Sequence, residues 1–262
     1  DELVAHDKLE GSLLAIVGYN AFATIQAAVN AVAPGGTVCV AAGEYAENVT
    51  VGKAVALLGP NAGVAIGDAK RGTEAVVKPA VNQPNNGQDG SVLINVQASG
   101  VTIDGFELTG QNALLGTGYT MGGVNVNAGF AIANGAKGEA SGPYAQIDHL
   151  VVRNNKIHDF AWMGVYVEVA FNTVRSQNFI QGNLFVNMWE AVQTYALMSD
   201  ISGNVIRDTG RGISHHGMNA ASGDGFAQRI SDNQITLGNE THWQGGATRT
   251  VGVWVNYQRG QA

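Results

Sequence analysis

The sequence contains one cysteine, Cys39, only 5 prolines and few charged residues among its 262 positions. A single cysteine excludes an intramolecular disulfide and any metal site built from several cysteines. Charged residues make up 13% of the chain and hydrophobic residues 45%. An intrinsically disordered chain would need low hydrophobicity and a high net charge, so this composition argues for a folded protein.

Basic residues are also scarce, since 14 Lys and Arg stand against 21 Asp and Glu and leave a formal net charge of −7. They are scattered, so the chain shows no basic stripe for nucleic acid and no polybasic patch for a membrane surface. The apolar run at residues 13–17 is too short to cross a membrane and lacks the cationic lead-in of a signal peptide. We therefore expect no nucleic-acid partner, no membrane insertion and no signal peptide in this chain.

Glycine, in contrast, is abundant, with 36 residues, and each glycine would cost a helix about 1 kcal/mol. One helical pattern is present at residues 21–33, where apolar residues recur at three- and four-residue spacing before Pro34. Beyond it, short alternating apolar runs are separated by Gly, Asn or Asp, which is typical of strands and turns. The sequence therefore predicts an all-β protein with one N-terminal helix.

Internal repetition indicates the architecture. Four segments share an aliphatic residue, two spacers, an asparagine, one spacer and an apolar residue, and they recur at spacings of 28, 21 and 29 residues. Their asparagines are Asn155, Asn183, Asn204 and Asn233. A degenerate earlier copy at residues 103–108 has Phe106 in place of the asparagine.

A period of this length that holds only short strands indicates a coil that returns to the same place on each turn. Asparagines at the corners are expected to adopt the left-handed conformation and to bond to one another in a ladder. The predicted fold is a single-stranded right-handed parallel β-helix of about nine coils with an N-terminal capping α-helix.

One β-helix domain is expected over residues 1–262, with the N-terminal segment and capping helix at 1–35 and the coils at 36–262. A Gly- and Ala-rich stretch at 111–146 interrupts the repeat and is expected to fold as a long loop over the face that carries the site. The C-terminal end lacks a second helix and is predicted to be uncapped. It would then continue in a longer chain or associate end to end with another copy.

The opening of the chain resembles a known group. The segments that carry the likeness read YNAFATIQAAV at 19–29, APGGTV at 33–38, GEYAENV at 43–49 and LLG at 57–59. They are similar to the first coils of the pectin-lyase-like β-helix superfamily, notably pectinesterases and bacterial cell-surface repeat proteins. The resemblance implies an extracellular or cell-surface bacterial protein with a polysaccharide partner and no cofactor. The Gln, two Asp and Arg that carry pectinesterase chemistry have no counterparts here.

A second likeness is to alginate- and chondroitin-cleaving lyases. Residues 204–217 are similar to a coil of those enzymes that ends in Arg-His-Gly, but His215 stands in place of the arginine. The preceding coil, at 193–195, offers no lysine as a base. Such lyases need a base, an acid for the leaving oxygen and a cation that neutralises the uronate carboxylate.

Aligning the coils on their asparagines predicts two neighbouring outer columns of side chains. The first contains Glu168, Tyr195, His216 and Asn256, and the second contains Tyr166, Gln193, Ser214 and Trp254. Tyr195 and His216 are the candidate base and acid, and Arg211 or Arg207 is the candidate cation. The predicted substrate-binding residues are Tyr166, Glu168, Gln193, His215 and Trp254; no metal site is predicted.

Two functions fit this sequence. The first is a secreted or cell-surface module that acts as a structural, adhesive or carbohydrate-interacting rod, and it is favoured because each family-specific catalytic set is broken. The second is a polysaccharide lyase or uronan-modifying enzyme with its site on coils 158–217. Other polar pairs, at 148–149, 158–159 and 207–208, are interpreted as local surface ion pairs, and the sequons at 48–50 and 239–241 as chance.

Overall fold

The computed structural model describes residues 3–4, 18, 20–84, 90–135, 144–169, 176–195, 198–218, 229–238 and 251–258. These residues form an all-β fold of parallel strands in curled sheets, with one α-helix among them. No helix in these ranges is long and apolar enough to cross a membrane. Tyr19, the sequon at 239–241 and the predicted uncapped terminus at 259–262 lie outside the described residues.

The strands are, in chain order, β1 (Leu3–Val4), β2 (Ala21–Phe22), β3 (Thr37–Cys39), β4 (Gly43–Ala46), β5 (Val49–Val51), β6 (Ala56–Leu58), β7 (Ala75–Lys78), β8 (Val92–Val96), β9 (Thr102–Asp104), β10 (Glu107–Thr109), β11 (Tyr119–Met121), β12 (Val124–Val126), β13 (Phe130–Ala133), β14 (Val151–Arg153), β15 (Lys156–Val167), β16 (Gln177–Gln181), β17 (Leu184–Thr194), β18 (Met198–Ser202), β19 (Val205–Met218), β20 (Arg229–Ser231), β21 (Gln234–Leu237) and β22 (Val251–Gln258). The α-helix, α1, is Ile25–Ala31, and a 3₁₀ turn spans Ala113–Leu115.

Each pass of the chain adds one strand to each parallel sheet. The first sheet runs β3-β6-β9-β14-β16-β18-β20, with the antiparallel strands β1 and β2 at its start. The second runs β4-β7-β10-β15-β17-β19-β21. In addition, β15 pairs with a branch of β13, β8 and β5, and β19 pairs with β22. Along the main path of each parallel sheet, the strands therefore lie side by side in the order in which they occur in the chain.

Aliphatic side chains stack in register inside the sheets. Leu57, Ile103, Val152, Ile180 and Ile201 are aligned across β6, β9, β14, β16 and β18, and each is at most 1% exposed. Burying one such side chain contributes roughly 1.5–3 kcal/mol. Since a shift by one residue would turn the column toward solvent, this stacking fixes the register of these strands.

The helix is shorter than the predicted 21–33, and a specific feature of the chain ends it on each side. Residues Ala21–Phe22 pair with β1 as a strand. The Thr24 hydroxyl then accepts a hydrogen bond from the Ala27 N–H at 3.2 Å and caps the first turn. At the other end Val32 is already extended. The helix buries Ile25, Ala28 and Val29 against the first coil.

The four repeat asparagines lie in one ladder, in which Asn155, Asn183 and Asn204 are fully buried and Asn233 is partly buried. The Asn155 N–H and Nδ2 both donate to Oδ1 of Asn183, at 3.0 and 3.1 Å. Asn183 donates in the same way to Asn204 at 2.9 and 3.1 Å, and Asn204 to Asn233 at 3.0 and 2.9 Å. At the start of the ladder the Phe106 N–H donates to Oδ1 of Asn155 at 2.9 Å. The degenerate copy thus joins the ladder through its backbone.

The left-handed residue of each corner is the one before the ladder position, which corrects the expectation that the asparagines themselves adopt this conformation. The residues with positive φ at these corners are Gly105 (79°), Asn154 (54°), Gly182 (63°), Gly203 (66°) and Asp232 (58°). Gly, Asn and Asp tolerate this region best. The turn is therefore made before the asparagine, and its amide is left to bond along the ladder.

The stretch 111–146 is only partly a loop. Strand β13 pairs in parallel with β8 and β15 and is therefore a regular part of the sheet. Before it, the chain leaves the coil to form the antiparallel hairpin β11–β12. Met121 and Val126 of this hairpin pack on Ala161 of β15, because all three are apolar and buried. The Asn187 side-chain amide holds the hairpin by donating to the Met121 carbonyl at 3.1 Å.

Candidate functional site

The C-terminal parts of β15, β17 and β19, together with β22, align the residues of the predicted columns. Tyr166 pairs in register with Gln193, Gln193 with Ser214, and Ser214 with Trp254; two residues after Ser214, His216 pairs with Asn256. The neighbours of Tyr166 on its own strand, Val165 and Val167, belong to the main core. Tyr166 therefore points to the opposite, outer side of the sheet.

The first aromatic column runs along this outer side. The ring centroids of Phe130 and Tyr166 are 5.9 Å apart, and those of Tyr166 and Tyr195 are 6.1 Å apart. Tyr195 stacks on His216 at 4.5 Å, and His216 meets Trp254 at 5.4 Å. Rings from five successive passes of the chain thus form one continuous row.

The second aromatic column lies beside the first. Trp162 stacks on Trp189 with centroids 4.0 Å apart and planes 18° from parallel. The Arg211 guanidinium carbon lies 4.6 Å from the Trp189 ring centroid and 5.3 Å from that of Trp254. Both distances fit cation–π contacts. Trp254, which is 39% exposed, ends both columns.

A groove lies where the two columns approach each other. It encloses about 170 Å³ and is lined by Phe130, Trp162, Met163, Tyr166, Trp189, Gln193 and Tyr195. Most of this lining is aromatic, with a few polar groups at one side, as is common in sites for small organic ligands. A larger cavity of about 310 Å³, near Asn48 and Ser91, is lined by uncharged side chains as far as the structure describes the surrounding residues.

Tyr195 and His216 are held together by an amide. Gln193 Nε2 donates to the Tyr195 hydroxyl at 2.9 Å and lies 3.4 Å from His216 Nε2. Burial raises the pKa of Tyr195, whereas burial and the nearby Arg211 charge lower the pKa of His216. At neutral pH Tyr195 therefore carries a proton and His216 accepts one, which reverses the predicted roles of base and acid.

Arg211 faces a carboxylate that the sequence interpretation missed. Glu190 is fully buried, in register with Met163 on one side and Arg211 on the other, and its Oε2 lies 4.0 Å from Arg211 Nη1. Burial raises the pKa of Glu190 to about 7, although the Ser214 hydroxyl and Arg211 act in the opposite direction. The alternative cation, Arg207, is exposed and pairs with Val186 outside both aromatic columns.

Two residues of the stretch 111–146, Asn134 and Tyr144, contact the first column. Asn134 accepts a hydrogen bond from the Glu168 N–H at 2.9 Å. The Tyr166 hydroxyl donates to the Glu168 carboxylate, and the Tyr144 ring lies 5.9 Å from that of Tyr166. Glu168 is therefore fixed at the rim by its backbone and by Tyr166.

His215, predicted to bind substrate, is instead buried. It pairs in register with Thr194 and through it with Val167, a core residue, and it is 1% exposed. Neighbouring residues of a strand point to opposite sides, so His215 and His216 cannot both face the groove. Burial lowers the pKa of His215 to about 4, so the ring is neutral at neutral pH.

Two of the predicted ion pairs differ in their surroundings. Asp148 and His149 form an exposed pair with Oδ2 and Nδ1 2.7 Å apart. His158 is more enclosed, because its Nδ1 lies 2.6 Å from Asp159 Oδ2 and its Nε2 lies 3.3 Å from Glu107 Oε1. These two carboxylates raise the pKa of His158 to about 9 against the opposing effect of burial.

The amide of the sequon at 48–50 has a role in the fold. Asn48 Nδ2 donates to the Val92 carbonyl at 2.8 Å, and its Oδ1 accepts from the Ala80 N–H at 2.9 Å. Among the described residues, no group of three or more His, Cys, Asp or Glu side chains is arranged to hold a metal ion.

No protein-family model, no curated protein and no solved structure matches this chain.

Proposed function

We propose that this chain is a right-handed parallel β-helix of the pectin-lyase-like type that binds a carbohydrate chain in the groove between its aromatic columns. It would act as a secreted or cell-surface bacterial module. The observation that carries this proposal is that two rows of stacked rings run along successive passes of the chain and flank one groove. The strand order, in which each pass adds one strand per sheet, supports the helical winding.

A sugar chain matches the dimensions and chemistry of this groove. Neighbouring passes are about 4.8 Å apart, so a polymer lying along the columns meets a new ring at each pass. The apolar faces of sugar rings pack on aromatic side chains, and sugar hydroxyls need a few fixed polar groups. Gln193 and Tyr195 supply both donors and acceptors at one side of the groove.

An acidic polysaccharide is favoured over a neutral one because Arg211 lies beside the groove wall. Its guanidinium group contacts Trp189, which lines the groove, and Trp254, which is partly exposed. Arginine presents several donors in a planar fork that matches a carboxylate. A uronate unit stacked near Trp189 would bring its carboxylate to this cation.

The pairing of Tyr195 with His216 supports a second candidate function, polysaccharide lysis. The neutral imidazole of His216 would remove the proton beside the uronate carboxylate, and the Tyr195 hydroxyl would protonate the leaving oxygen. The C–O bond breaks as a C=C bond forms, so no water or oxidant is consumed. Arg211 would stabilise the negative charge that develops on the uronate group.

Binding is tested by calorimetry with alginate, polygalacturonate and chondroitin sulfate, with a neutral glucan for comparison. Replacing groove residues, as in Trp162→Ala or Tyr166→Ala, is expected to weaken binding at least about tenfold. Tyr119→Ala is the matched control, because Tyr119 packs on the hairpin cluster away from the groove. Equal affinities for all three variants and the unmodified protein would refute binding in the groove.

The lyase candidate has its own measurement. Incubation with the same polymers would give the ultraviolet absorbance of unsaturated products, and His216→Ala would abolish it. If the polymers bind but no absorbance appears, the lyase function is refuted and the carbohydrate-binding function is retained.

A further inference from the structure

Glu190 is a fully buried carboxylate that faces the cation of the proposed site. Apart from the neighbouring Ser214 hydroxyl, neither of its oxygens has a close hydrogen-bond donor among the described residues. Its charge is therefore balanced by Arg211, whose Nη1 is 4.0 Å away. The preceding pass has the uncharged Met163 at this position of the column. An ionised carboxylate that is buried in this way destabilises the protein unless a cation remains beside it.

We propose that an anionic sugar unit that binds at Arg211 takes over this cation, and that Glu190 takes up one proton as a consequence. This inference rests on the carbohydrate-binding function proposed above. Two carboxylates cannot share one guanidinium group in a dry site without strong repulsion, and protonation of the buried one removes it. Glu190 would then act as a residue that makes binding of acidic sugars depend on pH.

Three other groups near the pair can titrate. Tyr195 is affected by the charge of Glu190, and His216 by that of Arg211. At pH 8 both keep their neutral forms, because the pKa of Tyr195 is raised and that of His216 is lowered. Glu168, at the far rim, is bonded to Tyr166. Near pH 8, the proton taken up on binding is therefore assigned to Glu190, whose own pKa in the free protein is about 7.

The test compares calorimetric titrations at pH 8 in two buffers with different ionisation enthalpies, using whichever acidic polymer binds. We expect the uptake of close to one proton per bound site at pH 8 and little uptake at pH 6. The affinity at pH 8 is expected to be about tenfold weaker than at pH 6, since the free carboxylate must first be protonated.

Glu190→Gln mimics the protonated acid and is the decisive variant. It is expected to bind at pH 8 as tightly as the unmodified protein does at pH 6, with no proton uptake. If the glutamine amide disturbs folding, Glu190→Met can be used instead, since methionine occupies this position in the preceding pass. The same tight binding at pH 8 without proton uptake is expected. His149→Gln replaces an exposed side chain outside the groove lining, so it is the control and should retain both the affinity and the pH dependence.

The outcomes separate the two proposals. If acidic polymers bind but proton uptake is absent, or persists in Glu190→Gln, the coupling is refuted and the binding function stands. If none of the three acidic polymers binds at either pH, both are refuted. A neutral glucan that binds with the same pH dependence would also overturn the coupling.

Discussion

Asn183 and Asn204 are joined by two hydrogen bonds, in which the N–H and the Nδ2 of Asn183 both donate to Oδ1 of Asn204. Nδ2 of Asn183 also donates to the Val152 carbonyl at 2.9 Å, and its Oδ1 accepts two bonds from Asn155. One side chain therefore satisfies buried polar groups of the passes on both sides of it.

Asn183→Ala is expected to lower the free energy of unfolding by about 3 kcal/mol, because it leaves buried donors of Asn155 without an acceptor. The measurement is urea denaturation followed by circular dichroism. Asn233→Ala is the matched control: this ladder position is partly exposed, so water can replace part of what is lost, and a smaller cost is expected. Equal losses for the two variants would contradict the ladder as a source of stability.

Gly105→Ala is expected to be severely destabilising, by more than about 3 kcal/mol. Gly105 has φ of 79°, and an added Cβ would lie 2.1 Å from the Ala62 backbone nitrogen. Gly203 occupies the corresponding corner, and an added Cβ there would lie 3.9 Å from the Gly182 backbone nitrogen, which is an ordinary contact. Gly203→Asn is the control and should cost under about 1 kcal/mol, because Asn154 already adopts this conformation. Thermal unfolding of both variants is the measurement. A large loss of stability only in Gly105→Ala indicates a steric clash, whereas similar losses in both variants would show that the corners tolerate no substitution.

Protonation of His215 is expected to destabilise the fold in acid. Its pKa is about 4 in the folded protein and about 6.5 in an unfolded chain. The neutral ring therefore makes its full contribution to the free energy of unfolding above pH 6.5. This contribution, up to about 3 kcal/mol, is lost as the pH falls toward 4. His215→Leu should remove this dependence relative to the unmodified protein, whereas replacing the exposed His149 by Gln should leave it. Parallel unfolding curves for all three proteins would refute the prediction.

His158 is expected to act in the opposite direction. Its pKa is about 9 in the folded protein, above the value of about 6.5 in an unfolded chain. The stabilisation by Glu107 and Asp159 is therefore complete below pH 6.5 and is lost as pH rises through 9, by about 2 kcal/mol. The difference in unfolding free energy between the unmodified protein and His158→Gln should shrink over this range. A constant difference from pH 6 to pH 10 would show that the ring is not charged in the folded state.

Most of the architecture could be predicted from the sequence because the repeat carries its own register. The spacing that aligns Asn183 with Asn204 also aligns Gln193 with Ser214. The same spacing separates Glu190 from Arg211, so this pair was readable in principle. Spacing alone does not mark the pair as functional, because Glu190 lies in an apolar run without a motif.

Other parts of the site depend on details that spacing does not contain. The register of β15 and β17 shifts between Phe160 and Met163, and this irregularity brings Trp162 over Trp189. The burial of His215 was accessible from the alternation of strand side chains. The pKa directions of Tyr195 and His216 required their actual surroundings, since enclosure and neighbouring charge set the proton affinity of each group.

The ladder tolerates turns of unequal length. Asn183 and Asn204 are 21 residues apart and Asn204 and Asn233 are 29 apart, yet the bonds between them are equivalent. The hydrogen bonds of the ladder are thus kept although the number of residues between successive asparagines varies. Connecting segments could be exchanged one at a time to remodel the walls of the groove, and the scaffold would be a practical starting point for engineered recognition of polymers.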